Sequence, residues 1–404
     1  MKAQTWLALI VAAVGLLIAA ILGLFAYVTF TATPLHPNPQ DVAAVTRSEP
    51  GQKWVEAVKQ GRQIVRTALT EQNLPGISVA VGVGGDIVWA EAFGWADLFN
   101  RVPATPETRF RIGDASASLT SAAAGLLLEK NKLKLDDEIQ TYVPEFPKKQ
   151  WPVTLRQLMG NQAGVRNDAG DEEPLMERCD LTIDGLRRFA DDSLRFEPGT
   201  REQSSSYGWI LVSAAIERAA AEPFFAFMQK QIFEPLGMAS TRPDSWRETI
   251  ANRATFYFPR FAGDNRYGPE LARDGDHSCF AGAGAFLSTA SDMVRFGLAV
   301  TRGKLLQPAT VELLQTPQRL RSGEQTTYGL GWRLESVPLA GEPTRMAGHG
   351  TKQDFIGGTT YLMTFPERGI VAVVTTNTSF ADAKSVALNI SQAFAKEAAS
   401  PSGK

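Results

Sequence analysis

Residues 111–121 read RIGDASASLTS and continue, through AAAGLLLEKNKL, to Leu133. Small residues come first, then leucines, then charge, so the segment predicts a buried helix that emerges into solvent at its far end. Outward from it lie other strong local patterns. GISVAVGVGGDIVWAEAFGWAD (76–97) has two β-rich runs around Gly84-Gly85, which predicts a hairpin. TTYLMTFPERGIVAVVTTN (359–377) reads as two strands joined at Glu367-Arg368-Gly369. Apolar residues recur at helical spacing from Val55 to Leu69, and SVALNISQAFAKEAA (385–399) reads as a closing helix. The region from about 150 to 285 is rich in helical patterns, among them YGWILVSAAIERAAA (207–221) and FFAFMQKQIFEPLGM (224–238). Helix, strands, helical insertion, strands and helix together predict an α+β fold, an antiparallel sheet flanked by terminal helices.

With 41 Lys and Arg against 43 Asp and Glu, the chain has no basic field of the kind that draws nucleic acid. The first segment differs from the rest. WLALIVAAVGLLIAAILGLFAYVTF (6–30) is enough to cross a bilayer core of about 30 Å, and is longer than the apolar core of a cleavable signal. Residues 1–30 are therefore read as a signal anchor, with residues 6–30 the contact to the membrane. Lys2 is the only Lys or Arg before Arg47, which orients the N-terminus to the cytoplasm and the bulk of the chain to a bacterial periplasm. Residues 31–52 hold several prolines and no apolar period, and are read as a linker ahead of a domain at 53–400. Cys179 and Cys279 are compatible with a disulfide in that compartment, and equally with two small buried side chains.

Eight phrases in register resemble one family: TRFRIG (108–113), VTLRQLMGNQAGV (153–165), FEPGT (196–200), SSYGWILVSAAIE (205–217), FEPLGMAST (233–241), AGAGAFLSTASDMVRFG (281–297), YGLGW (328–332) and GGTTYLMTFPERGIVAVVTTN (357–377). In this order they look like serine β-lactamase-related hydrolases: class C β-lactamases, DD-peptidases and esterase relatives, including the membrane-anchored type. The resemblance implies an antiparallel sheet with an inserted helical subdomain at about 150–285. It also implies acyl transfer by a serine, with a lysine three residues later on the same helix face, a tyrosine relaying protons, and a basic residue on a strand.

The chain departs from that pattern where the chemistry lies. Asp114 stands at the nucleophile position, Ala117 at the lysine and Ser204 at the tyrosine, and no Ser-x-x-Lys occurs anywhere in the sequence. The phrase at Gly160-Asn161-Gln162-Ala163-Gly164 is altered too, and His349 lies about two residues too far from GGTT for a clean match. Asp114 is read as the N-terminal cap of its helix, a residue type suited to that position. Ser116 and Ser118 are read as small polar residues on a packed helix, Ser206 as a helix cap within Ser204-Ser205-Ser206, and His349 as a pocket-lining residue. The cleft candidates are thus Asp114, Ser116, Ser204, Ser206 and His349. His36 and His277 are too scattered to form a metal site with it, and no cofactor is expected. The expected protein is a catalytically silent relative that binds a partner protein, a peptidoglycan-like peptide or a lipid through the old cleft or outer surface. A hydrolase with rewired or deliberately altered chemistry around Asp114 and His349 is the alternative.

Overall fold

The computed structural model describes residues 2–167, 178–245, 247–261, 263–272, 275–350 and 357–399. The first half contains helix α1 (Lys2–Thr31), strand β1 (Ala44–Thr46), α2 (Val55–Glu71), β2 (Gly76–Val83), β3 (Asp86–Asp97), β4 (Val102–Pro103) and β5 (Phe110–Arg111). The helical region follows as α3 (Ser116–Glu129), α4 (Leu155–Met159), α5 (Ser206–Ala220) and α6 (Phe224–Met228). After it come β6 (Arg242–Pro243), β7 (Tyr257–Pro259), β8 (Pro269–Leu271), β9 (Phe286–Ser288), α7 (Ala290–Thr301) and α8 (Pro308–Leu314). The chain closes with β10 (Arg333–Leu339), β11 (Glu342–Gly350), β12 (Thr359–Phe365), β13 (Ile370–Thr376) and α9 (Ala383–Ala399).

The main sheet is antiparallel in the order β1-β3-β2-β13-β12-β11-β10, with β4 beside β3. Gly84 and Gly85 both take positive φ (64° and 111°), the backbone a tight two-residue hairpin turn requires. Strands β12 and β13 are buried along their whole length because helices cover both faces of the sheet. The period of two divides their side chains between two cores. Val371 and Val373 join the core that includes α3, α5 and α7. Ile370, Ala372 and Val374 join the core beneath α2 and α9.

Three sequence expectations are refined. The helix read at 224–238 ends as α6 at Met228 and continues only as a π-type turn over Gln229–Phe233. Pro235 has no N–H to donate and Gly237 turns the chain with φ 65°, so the helix cannot run on. The stretch read as a linker is strapped onto the domain along much of its length. Leu35 N–H donates to Asn73 Oδ1 (2.7 Å), the buried His36 meets the Leu74 carbonyl (2.9 Å), and β1 pairs with β3. Finally, Cys179 and Cys279 form a disulfide, with Cα atoms 4.9 Å apart, that joins a loop before α5 to the turn before β9.

The cross-link spans 100 residues of sequence, so it restricts the unfolded chain strongly. Replacing both cysteines by alanine is expected to cost about 2–4 kcal/mol, read as a lower urea midpoint of the soluble portion. An unchanged midpoint would show that the bridge does not form.

Candidate functional site

The site is built at the start of α3. Strand β5 pairs with β9, Ile112 N–H donates to the Phe286 carbonyl, and a 3₁₀ turn over Gly113–Ala115 feeds straight into α3. Because Ile112 and Ala115 already have helical backbone angles, Asp114 lies inside the first turn. A capping residue needs extended angles, and no side chain caps either helix start here. The expected capping role of Asp114 is therefore corrected: its carboxyl belongs to the cleft.

Burial pushes the Asp114 carboxyl up to about 6, against the opposing pull of the Arg333 guanidinium. Its charge also reaches Tyr328, whose hydroxyl is raised above the usual phenol range chiefly by burial and then by Asp114. The Tyr328 hydroxyl lies 2.5 Å from Nε2 of His349, with the rings edge to face at 5.5 Å. Burial, followed by Arg333, lowers His349 to about 3, so its imidazole is neutral at physiological pH. The Asn161 side chain faces the Tyr328 hydroxyl and partly opposes its rise. Nδ1 of His349, Oδ1 of Asn161 and Oγ of Ser116 are buried without a hydrogen-bond partner among the described residues. Arg333 makes no side-chain hydrogen bond or ion pair among the described residues.

Two serines of α3 hold Tyr328 in place. Ser118 Oγ donates to the Gly331 carbonyl (3.0 Å) and Ser121 Oγ to the Leu330 carbonyl. Gly331 takes φ 90°, and a Cβ there would fall 2.5 Å from Ser121 Cβ, so only glycine allows this approach. The reading of Ser118 as a tolerated packing residue thus understates it. Ala117 is buried in the core and offers a methyl group where an amine is needed. Ser204 is exposed in the loop before α5. Ser205, not Ser206, caps that helix: its extended backbone lets Oγ accept from Gly208 N–H (3.0 Å) and donate to the Arg166 carbonyl (2.8 Å). Ser206 is the first residue of α5 and donates its N–H to Asn167 Oδ1 (2.7 Å). Of the candidates, Asp114 and His349 thus meet through Tyr328 and Arg333. Neither Tyr328 nor Arg333 was singled out from sequence, although Tyr328 opens the phrase YGLGW. His277 and His36 lie elsewhere, His277 beside Arg111, Asp244 and Arg253.

An antiparallel sheet with an inserted helical region and a buried helix starting between them is the architecture of the beta-lactamase and penicillin-binding-protein fold. The beta-lactamase family model matches residues 62–395, and the chain belongs to that family. It is 27% identical to the human serine beta-lactamase-like protein LACTB, mitochondrial, over 85% of this chain and 81% of that protein. It is also 27% identical to penicillin-binding protein 4* of Bacillus subtilis (strain 168), over 67% of this chain and 62% of that one. Among solved structures, the octameric penicillin-binding protein homologue from Pyrococcus abyssi superposes with a TM-score of 0.69 at 24% identity, covering 82% of this chain and 76% of that one, a likeness of fold.

The raised carboxyl gives a signed pH prediction. The folded chain holds the Asp114 proton more tightly than the unfolded chain, whose value is near 3.8, so stability falls as pH rises from about 4 to about 6. The gap corresponds to at most about 3 kcal/mol. Asp114→Asn is expected to raise the urea midpoint at pH 8 and to leave it near the parent's at pH 4. An equal gain at both pH values would mean that the carboxyl is not buried as described.

Proposed function

We propose that this chain is a membrane-anchored, extracytoplasmic member of the beta-lactamase family that acts by binding rather than by acyl transfer. One observation carries this reading. At the start of α3 the nucleophile position holds Asp114, and the partner position one helical step later holds Ala117, packed in the core. A carboxylate is not a serine-type acylating nucleophile, and no amine at position 117 is present to activate a hydroxyl. The cleft is nevertheless kept in shape, and the unpartnered atoms of Ser116, Asn161 and His349 offer hydrogen bonds to a ligand. Such a ligand is a partner protein, a cell-wall peptide or a lipid. The apolar helix from Thr5 to Thr31 serves as the anchor, in an inner membrane with the domain in the periplasm.

The test is intact-mass analysis of the folded soluble portion after incubation with a fluorophosphonate and, separately, with a penicillin. No mass shift is expected from either. A stoichiometric adduct overturns the reading, and mapping it names the nucleophile. A reporter fused after Lys404 tests the orientation: activity confined to the cytoplasm contradicts a periplasmic domain.

The close pairing of Tyr328 with His349, beside a carboxyl near 6, favours one second reading, a rewired hydrolase using Asp114 and His349 as acid and base. It predicts ester or peptide hydrolysis that falls at least about 100-fold in Asp114→Asn and in His349→Ala. Turnover equal to the parent's in both variants sinks it.

A further inference from the structure

The β7–β8 hairpin joins the end of the main sheet to the N-terminal helix. At its tip, Phe261 and Tyr267 close around Phe25 of α1 in a three-ring cluster, with centroids 6.2, 6.0 and 5.9 Å apart. Arg260 donates to Thr31 Oγ1 (2.7 Å) and to the Val28 carbonyl (3.4 Å). Val28 is buried by this contact, while Tyr27 and Phe30 on either side stay 65% and 88% exposed. The end of the apolar helix is thus docked on the domain, and the domain cannot swing freely away from it.

Helix geometry sets the depth of that contact. Trp6 and Tyr27 are separated by about 32 Å along an α-helix, close to the roughly 30 Å of a hydrocarbon core. Amphipathic rings of this kind settle at the two interfaces. Phe25 to Thr31 then lie at headgroup level, and Phe261 and Tyr267, packed on Phe25, lie there with them.

At its other end the hairpin packs against the segment that leads into β12. A Cβ on Gly357 would fall 2.7 Å from Phe256 Cβ and 2.8 Å from Ala272 Cβ, so the residues flanking β7 and β8 press directly on the approach to β12. The Phe256 ring lies 4.1 Å from the guanidinium of Arg111, three residues before Asp114. The tip is also tied to the same end of the sheet, since the Thr378 hydroxyl donates to Asn265 Oδ1 (2.8 Å) just beyond β13. Strand β7 is three residues long, about 10 Å, and separates the Phe256 contact from the tip.

We propose that the hairpin tip is an interfacial foot that seats the domain on the bilayer surface, and that the cleft's ligand is an amphiphile drawn from that bilayer. This rests on the anchor and binding readings above and narrows the ligand class to lipid. The Asn161 and His349 atoms left without a partner among the described residues would meet the polar head, while the bilayer accommodates the chain.

The full chain in phosphatidylcholine–phosphatidylglycerol nanodiscs tests it. The native cysteines are bridged, so single reporters at Tyr27→Cys, Arg266→Cys and Lys304→Cys accept bimane selectively. Headgroup-nitroxide lipid is expected to quench positions 27 and 266 at least threefold more than position 304. Quenching at 27 without 266 overturns the foot and leaves the anchor standing; quenching at neither overturns the anchor as well. A diazirine-acyl phosphatidylglycerol in the same nanodiscs is expected to crosslink peptides carrying Asn161 and Tyr328, with at least threefold loss in folded Phe261→Glu/Tyr267→Glu and in the milder Arg260→Ala. Crosslinks confined to α1 and the hairpin tip, with none in the cleft, overturn the lipid ligand while leaving the foot. Cleft crosslinks unchanged in both variants overturn the link between foot and cleft.

Discussion

The geometry of the cleft depends on a buried ion pair behind it. Arg111 Nε donates to Asp244 Oδ2 (2.7 Å), and Arg253 donates to both carboxylate oxygens (2.7 and 3.2 Å). Both Arg111 and Asp244 are almost wholly out of solvent. Burial alone pushes the Asp244 carboxyl up, but the two guanidinium groups more than reverse it and hold it at about 2. Removing one partner of such a pair leaves a stranded charge, at a cost of about 3–5 kcal/mol. The pair therefore fixes β5 to the segment after β6, and so fixes where the 3₁₀ turn begins and where residue 114 sits, whatever that residue is.

The front of the cleft is held just as independently. Ser118 and Ser121 grip the backbone of Leu330 and Gly331, which sets Tyr328 against His349. None of these bonds involves positions 114, 117 or 204. The residues at those three positions can therefore vary while the surrounding scaffold stays supported on both sides. A fold of this kind separates the residues that shape a site from those that react in it.

The same separation explains what could be read in the sequence. The β2–β3 hairpin and the β12–β13 turn at Gly369 (φ 60°) were legible, because a turn glycine and a period of two are local signals. The terminal helices were legible for the same reason, and Asp114 and His349 through their places in the family phrases. The strap from Leu35 to Thr46 was not, since its partners Asn73, Leu74 and β3 lie tens of residues away and leave no periodic trace. Neither was the helix cap at Ser205, where three consecutive serines offer the same chemistry and only the backbone angles choose among them. Arg333 and Asn161 gain their importance from neighbours brought in by folding, and no spacing in the chain announces them.

Asp114 itself is the clearest departure from packing for stability. Burial disfavours its charged form, it caps no helix, and Arg333 only partly offsets the cost. A neutral residue in the same turn would remove that penalty, and Ala117 next door shows that apolar side chains fit this helix start. Retaining a destabilised carboxyl beside Tyr328, His349 and an arginine with no described ion-pair partner makes sense when the group meets something outside the chain. That is the physical basis for the binding role proposed for the cleft.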